Sequence, residues 1–203
     1  HRVVSDGSTV FTTDQHDPVT LQDPGFAFSV MIDSFFQANQ RLRKTMLDTV
    51  IGLCGRGKSA LEIGCGSGFF TIPLSRQFDH IQATEVVPEA IASARRNAAA
   101  NNCTNIRFVR EDMSRPRRLA QPIELVLADP PRGGLARAMS EAIIAGAAER
   151  FVYVSCDIPA WARDAALLRK GGYELQSAVF LDMFPGSMHI ELVSAFTRNN
   201  RPS

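Results

Sequence analysis

At 203 residues and 45% hydrophobic content, the chain can bury one full core with a small appendage beside it. A net charge of +1 argues against stand-alone nucleic-acid binding through a uniformly basic surface. The four cysteines (Cys54, Cys65, Cys103, Cys156) lack metal-type spacing and the density of a disulfide framework, and no signal peptide or membrane-length apolar run is present, so a reducing, cytoplasmic setting and no membrane partner are expected.

The chain opens at His1 rather than Met, as expected of a piece of a longer protein. Residues 1–28 read as small β structure. RVV-SDGS-TVF is a hairpin signal with Asp6-Gly7 at its turn, and Pro18, Pro24 and Gly25 then punctuate an irregular connector. This stretch is expected to be the remnant of a preceding β-rich or linker region, and residues 29–203 the principal domain. FFQANQ (Phe35 to Gln40) opens a helix predicted to run to about Leu53, with Leu42, Met46, Val50 and Leu53 on one face. Asn39 suits its cap, and Gln37 and Asn39 taken alone are more often helix-opening residues than ligand contacts.

In SALEIGCGSGFF, Ser59 to Ile63 is a predicted strand, and Gly64, Gly66 and Gly68 form a turn before a helix from about Phe69. Glycines there let the backbone take positive φ and approach a ligand, a pattern that dinucleotide-binding folds share. A second strand, His80 to Thr84, ends at Glu85. An acidic residue in that place accepts hydrogen bonds from ribose hydroxyls, which implies an adenosine-type ligand. The strand Ile106 to Val109 runs into Arg110-Glu111-Asp112, where Asp112 either meets an adenine amino group or sits in a solvated turn. Arg95, Arg96, Arg115, Arg117 and Arg118 cluster in this part of the chain, and solvated helix faces and a loop are the commoner explanation for such runs.

Glu124 to Ala128 is the fourth strand, and DPPRG (Asp129 to Gly133) makes a stiff loop that holds Asp129 and Arg132 over the sheet edge. The helix Ala136 to Ala147 leads to FVYVSCDIPAWARD. Its apolar run Phe151 to Val154 reads as a buried strand ended by Ser155 and Cys156, with a helix from Pro159 to Lys170 closed by Gly171-Gly172. Two last strands, Tyr173 to Leu181 and His189 to Phe196, are joined by DMFPGSM, a connection short enough to favour antiparallel pairing. The predicted architecture is α/β: a doubly wound, seven-stranded, mostly parallel sheet. Cys156 stands at a strand's carboxyl end, where such sheets bind ligands, and DPPRG and MHIE (Met188 to Glu191) converge on it. Cys156 is therefore the candidate nucleophile and Glu191 its partner base, against the alternative of an inert buried cysteine that Cys54, Cys65 and Cys103 are expected to follow.

Taken together, FFQAN, LEIGCGSGFF, ADPPRGG and VSCD…ARD, closed by DMFPGSMHIE, resemble in content and order the class I S-adenosylmethionine methyltransferases. More narrowly, the chain resembles the RNA uracil-5-methyltransferases, which make 5-methyluridine in ribosomal and transfer RNA; the resemblance runs from about Phe35 to Phe196. It implies a Rossmann-like catalytic domain, S-adenosylmethionine as cofactor with S-adenosylhomocysteine as product, structured RNA as partner, and a monomer. It further implies that Glu62, Gly64, Gly66, Glu85 and Asp112 line the donor site, and that Gln37 lies near donor and target base. Asp129 would adjoin the donor and contact the uracil edge, with Cys156 as nucleophile and Glu191 as base. Arg132 and Arg163 would either lower the Cys156 pKa, meet phosphate or form structural ion pairs.

The chain departs from the family in places. Asp157-Ile158-Pro159 follows Ser-Cys where the family usually continues Asn-Pro, and a charge there is expected to raise the thiol pKa. Gly186 stands where His is usual. The amino-terminal RNA-binding β-barrel that many members carry, and the iron–sulfur cluster that some carry, are not visible in the sequence, so weak RNA binding is expected. Two other readings remain. Amino-group methyltransferases carry an aromatic residue where Arg132 stands, and cytosine-5 enzymes place their nucleophile in the loop after strand four, which here holds no cysteine. A catalytically weak donor-binding module is the other.

Overall fold

The computed structural model describes residues 2–5, 10–13, 19–23, 25–30, 39–117, 123–187 and 190–199. Strand β1 (Arg2–Ser5) pairs antiparallel with β2 (Val10–Thr13), the hairpin that the Asp6-Gly7 signal predicts. The predicted irregular connector instead contains a second hairpin, β3 (Val19–Asp23) with β4 (Phe26–Val30). Two residues separate the paired Asp23 and Phe26, and Gly25 has φ +88°, so this punctuation marks a tight reversal between strands.

The principal sheet is assembled from α1 (Gln40–Cys54), β5 (Gly57–Ile63), α2 (Thr71–Leu74), β6 (Phe78–Glu85), α3 (Pro88–Ala100), β7 (Ile106–Arg110), β8 (Leu125–Ala128), α4 (Arg137–Gly146), β9 (Arg150–Ser155), α5 (Ile158–Lys170), β10 (Tyr173–Leu181) and β11 (Glu191–Arg198). Its strand order is β10-β11-β9-β8-β5-β6-β7. Only β11 runs against its neighbours β9 and β10; the other pairings are parallel. From β5 the chain first winds outward to β6 and β7, then returns to β8 and β9 on the other side. The order therefore reverses between β5 and β8, and there the loops at the carboxyl ends separate into a crevice.

Strand β8 and the run Phe151 to Val154 of β9 are apolar because both of their faces are covered. Leu125, Leu127, Val152 and Val154 join Met46, Val50 and Ile72 on one side, while Val126, Ala128, Phe151 and Tyr153 join Met139, Ile143 and Leu168 on the other. Helix α1 starts where its cap lies: the Asn39 side chain accepts from Leu42 N–H at 3.2 Å. Helix α2 is one turn long, and at its end the Ser75 hydroxyl donates to Ile72 O at 2.6 Å, competing for that helical carbonyl.

The body of the domain grips β4. Phe28 is fully buried, with its ring 6.0 Å from that of Phe69. Asn97 on α3 and Asn101 at its C-cap sit one turn apart and act as a surrogate strand. Asn101 accepts from Ala27 N–H at 3.0 Å and donates to Ala27 O at 2.7 Å, and Asn97 accepts from Ser29 N–H at 2.7 Å. The boundary expected after residue 28 falls inside this strand. Among the described residues no helix is long and apolar enough to cross a membrane.

Candidate active site

The crevice has two walls. One is the turn after β5, where Gly64, Gly66 and Gly68 take φ of +76°, +53° and +93°. A Cβ on Gly64 would come within 2.9 Å of Asp129 O, so only glycine lets β5 and β8 end side by side here. The amides of Gly64 and Cys65 both donate to Thr84 O at 2.9 Å, which bends the chain away from the strand. A Cβ on Gly66 would meet nothing within 4 Å, so this part of the turn faces open space. Asn97 holds the turn from below, donating to Ser67 O at 2.9 Å from a side chain that is fully buried.

Acidic groups surround this turn. Glu85 stands at the end of β6, and its carboxylate accepts from Gly66 N–H at 3.1 Å and from Val86 and Val87 N–H at 2.7 and 2.9 Å. Glu62 is 1% exposed, burial pushes its carboxyl up to about 8, and the nearby Asp129 and Glu85 carboxylates add to the shift. Among the described residues its Oε2 atom has no hydrogen-bond partner. Asp112 is exposed just beyond β7, and its carboxylate accepts from Ser114 N–H at 2.8 Å, which lowers its pKa. Gln37 lies outside the described residues, as do Met188 and His189.

The other wall brings together residues distant in sequence. Asp129 N–H donates to Ile63 O at 3.2 Å, which fixes the end of β8 beside the end of β5. In the antiparallel pair β9–β11, Leu192 faces Ser155, so Glu191 and Cys156 each lie one residue beyond that pair, across from one another. Their ionisation reflects the closeness. Burial raises the Cys156 thiol, Glu191 and then Asp129 raise it further, and Arg132 pulls it down. Burial likewise raises Glu191, which Arg132 opposes. Asp129 is pushed up to about 8, chiefly by burial and then by Glu191.

Asp157 does not play the part expected of it. Its side chain caps α5, accepting from Ala160 N–H at 2.7 Å, and it is not among the groups that shift Cys156. Of the roles open to Arg163, the ion pair is the one formed: its guanidinium meets Asp164 Oδ1 at 2.8 Å and also donates to Gly133 O at 2.8 Å. Fully buried Asp164 in turn accepts from Leu135 N–H at 2.8 Å and from the Tyr153 hydroxyl at 2.7 Å, so the DPPRGG loop is clamped from behind. Gly186 has φ +84° and an open surrounding. The Asn39 amide donates to Met183 O at 3.0 Å, which ties the start of α1 to the loop leading to Glu191.

Two contributors went unread in the sequence, Asn97 and Asp164. The available signals were two asparagines spaced by four in an alanine-rich helix, and an acid on the apolar side of α5.

The reversal between β5 and β8, the glycine turn and the acid closing β6 define the class I methyltransferase fold. Residues 8–198 match the tRNA (uracil-5-)-methyltransferase family. The chain belongs to that family. It is 39% identical over 169 residues to an RNA methyltransferase of Aquifex aeolicus, covering 82% of this chain and 40% of the relative. It is 36% identical over 188 residues to the 23S rRNA (uracil(1939)-C(5))-methyltransferase RlmD of Histophilus somni, covering 90% and 43%. The chain thus spans less than half the length of these relatives. Among solved structures it superposes with a TM-score of 0.82 and 26% identity on the Pyrococcus abyssi tRNA (uracil-54, C5)-methyltransferase in complex with S-adenosyl-L-homocysteine, covering 94% of this chain and 46% of that one.

Proposed function

We propose that the chain carries the catalytic domain of an S-adenosylmethionine-dependent RNA (uracil-5-)-methyltransferase that modifies a uridine of ribosomal or transfer RNA through a covalent cysteine adduct. The observation that carries this reading is the meeting of the Cys156 thiol with the Glu191 and Asp129 carboxyls beside an open glycine turn. Family membership and the names of the relatives support it.

The first wall suits the donor. The open side of Gly66 admits a ligand against backbone, Glu85 is held where ribose hydroxyls would reach it, and the orphaned Glu62 Oε2 offers a buried acceptor. Gly64, Gly66, Glu62, Glu85 and Asp112 would hold the donor, with Gln37 and Asp129 between donor and base. The bound donor supplies an electrophilic sulfonium methyl group.

Carbon-5 of uracil is too weak a nucleophile to take that methyl unaided. The Cys156 thiolate would add to carbon-6, moving the electron pair of the 5,6 double bond to carbon-5; carbon-5 would then bond the methyl carbon as the methyl–sulfur bond of the donor breaks and its electron pair stays with sulfur. Glu191 removes the proton left on carbon-5, the double bond re-forms, and the carbon–sulfur bond breaks to return the thiolate. Arg132 favours the thiolate. Asp129, neutral at pH 7 with its pKa at about 8, donates a hydrogen bond to a uracil carbonyl as negative charge grows on the ring.

RNA bearing 5-fluorouridine tests this. Fluorine on carbon-5 cannot leave as the proton does, so wild-type protein with donor is expected to form a covalent adduct that survives denaturing electrophoresis. An adduct that still forms with Cys156→Ser would overturn the assignment.

A further inference from the structure

The far edge of the sheet carries a concentration of positive charge that the reaction leaves unused. Strand β7 is the terminal strand. Arg107 and Arg110 lie on it, Arg95 and Arg96 on α3 beside it, and Arg115 and Arg117 in the turn beyond it, all exposed. Arg95 donates across to Phe108 O at 3.3 Å, and Arg110 to Val86 O at 3.2 Å, so these guanidiniums lie along the edge and the adjoining rim of the crevice. Residues 95–118 hold seven arginines, no lysine and two acids in a chain of net charge +1. The remainder of the chain is therefore net negative, and the molecule is polarised. Of the two acids, Glu111 has a side chain only 7% exposed and meets Arg117 at 4.0 Å. Asp112 is the one exposed carboxylate of the stretch, with Arg115 near enough to lower its pKa.

We infer that the β7 edge is a docking surface for the phosphate backbone of RNA, a proposal that rests on the uridine reading above and locates its partner. Guanidinium groups suit phosphate because their planar forks bind it in two-point fashion, and a row of them suits a polyanion rather than a single ion. Strand β7 stands four places from β9 in the sheet order, about 19 Å at ~4.8 Å per strand. The surface therefore does not touch the target base; it holds backbone flanking it, on the donor side of the crevice. Charged residues on an edge strand also deter edge-to-edge pairing of two sheets, and the experiment separates the two roles.

The test is fluorescence anisotropy of a labelled RNA hairpin with a uridine-containing loop, titrated at several KCl concentrations. Arg95→Gln/Arg107→Gln/Arg115→Gln is expected to weaken binding at least tenfold at 0.1 M KCl and to make the slope of log Kd against log salt shallower by about 2. Arg107→Gln alone is expected to weaken it about threefold, and the control Arg169→Gln/Lys170→Gln, in the last turn of α5, to leave it within twofold. Unchanged binding by the triple variant, or equal loss in the control, overturns the proposal. So does self-association of the triple variant with RNA affinity retained, which would leave edge protection as the role. Displacement of the hairpin by polyglutamate at matched charge would point to an acidic protein partner instead and also overturn it. Arginine-dependent binding without any 5-fluorouridine adduct keeps the surface and removes the uridine reading; adduct formation by a triple variant of undiminished affinity does the reverse.

Discussion

Cys156 sits among opposed influences, and each can be removed separately. Arg132 lowers its pKa while Glu191 and Asp129 raise it. Replacing Arg132 by Gln takes away a favourable charge, so the pH at which the thiol becomes reactive moves up. Replacing Glu191 by Gln takes away an unfavourable one, so it moves down. The rate of iodoacetamide alkylation against pH, which needs no substrate, should show the two curves on opposite sides of wild type. Shifts in the same direction would refute this electrostatic picture. Asp157 provides the contrast. Because its carboxylate is occupied as a helix cap, Asp157→Asn should leave the alkylation curve in place, for Asn caps as well as Asp. Asp157→Ala should cost about 1 kcal/mol in urea denaturation through the lost cap.

At the scale of elements, β4 and α3 act as one unit with the glycine turn. Asn97 satisfies both Ser29 N–H and Ser67 O, so Asn97→Ala orphans both backbone groups, at about 1–3 kcal/mol each. Phe28→Ala should cost about 3–5 kcal/mol, as expected of a fully buried aromatic side chain. Chemical denaturation of both variants measures this, and a wild-type midpoint for either would mean that β4 is dispensable. Neither dependence was readable in advance, and the reason is physical. Periodicity reports which side chains seek the core, so the strands through Ile63, Glu85, Ala128 and Ser155 were legible to within one residue at their carboxyl ends. The short DMFPGSM connection likewise indicated the antiparallel final pair, and the end of the apolar run Phe151 to Val154 the candidate thiol at a strand's end. Periodicity does not report hydrogen bonds between segments some seventy positions apart, such as Asn101 with Ala27, nor that Gly25 stands at a reversal between two strands rather than in a loose linker. Asp157 was misjudged for a related reason: its charge is evident in the sequence, but the direction of its side chain is set by the helix that begins there.

For the molecule as a whole, the carboxyls of Glu62 and Asp129 set a direction of pH dependence. Each is held up to about 8 in the folded chain against ordinary values of 4.5 and 3.8, so over that interval the unfolded chain gives up its protons first. Stability from these neutral carboxyls is complete below about pH 4 and is lost as the pH rises to about 8. Free energies of unfolding from urea titrations across pH 5–8.5 should decline, and Glu62→Gln should flatten the decline. A slope that Glu62→Gln leaves unaltered would show that another group governs it.

The clamp made by Tyr153, Asp164 and Arg163 holds Gly133 and Leu135 by three hydrogen bonds, with fully buried Asp164 at its centre. A hinge there would have to break buried polar contacts, so this side of the cleft is preset and has no cheap way to widen. On the uridine chemistry proposed above, the nucleotide would have to do the moving: its base would leave the stack and present its edge to a rigid mould. Selectivity would then follow how readily a given RNA site surrenders a uridine, and loosely stacked loops would be favoured over paired stems.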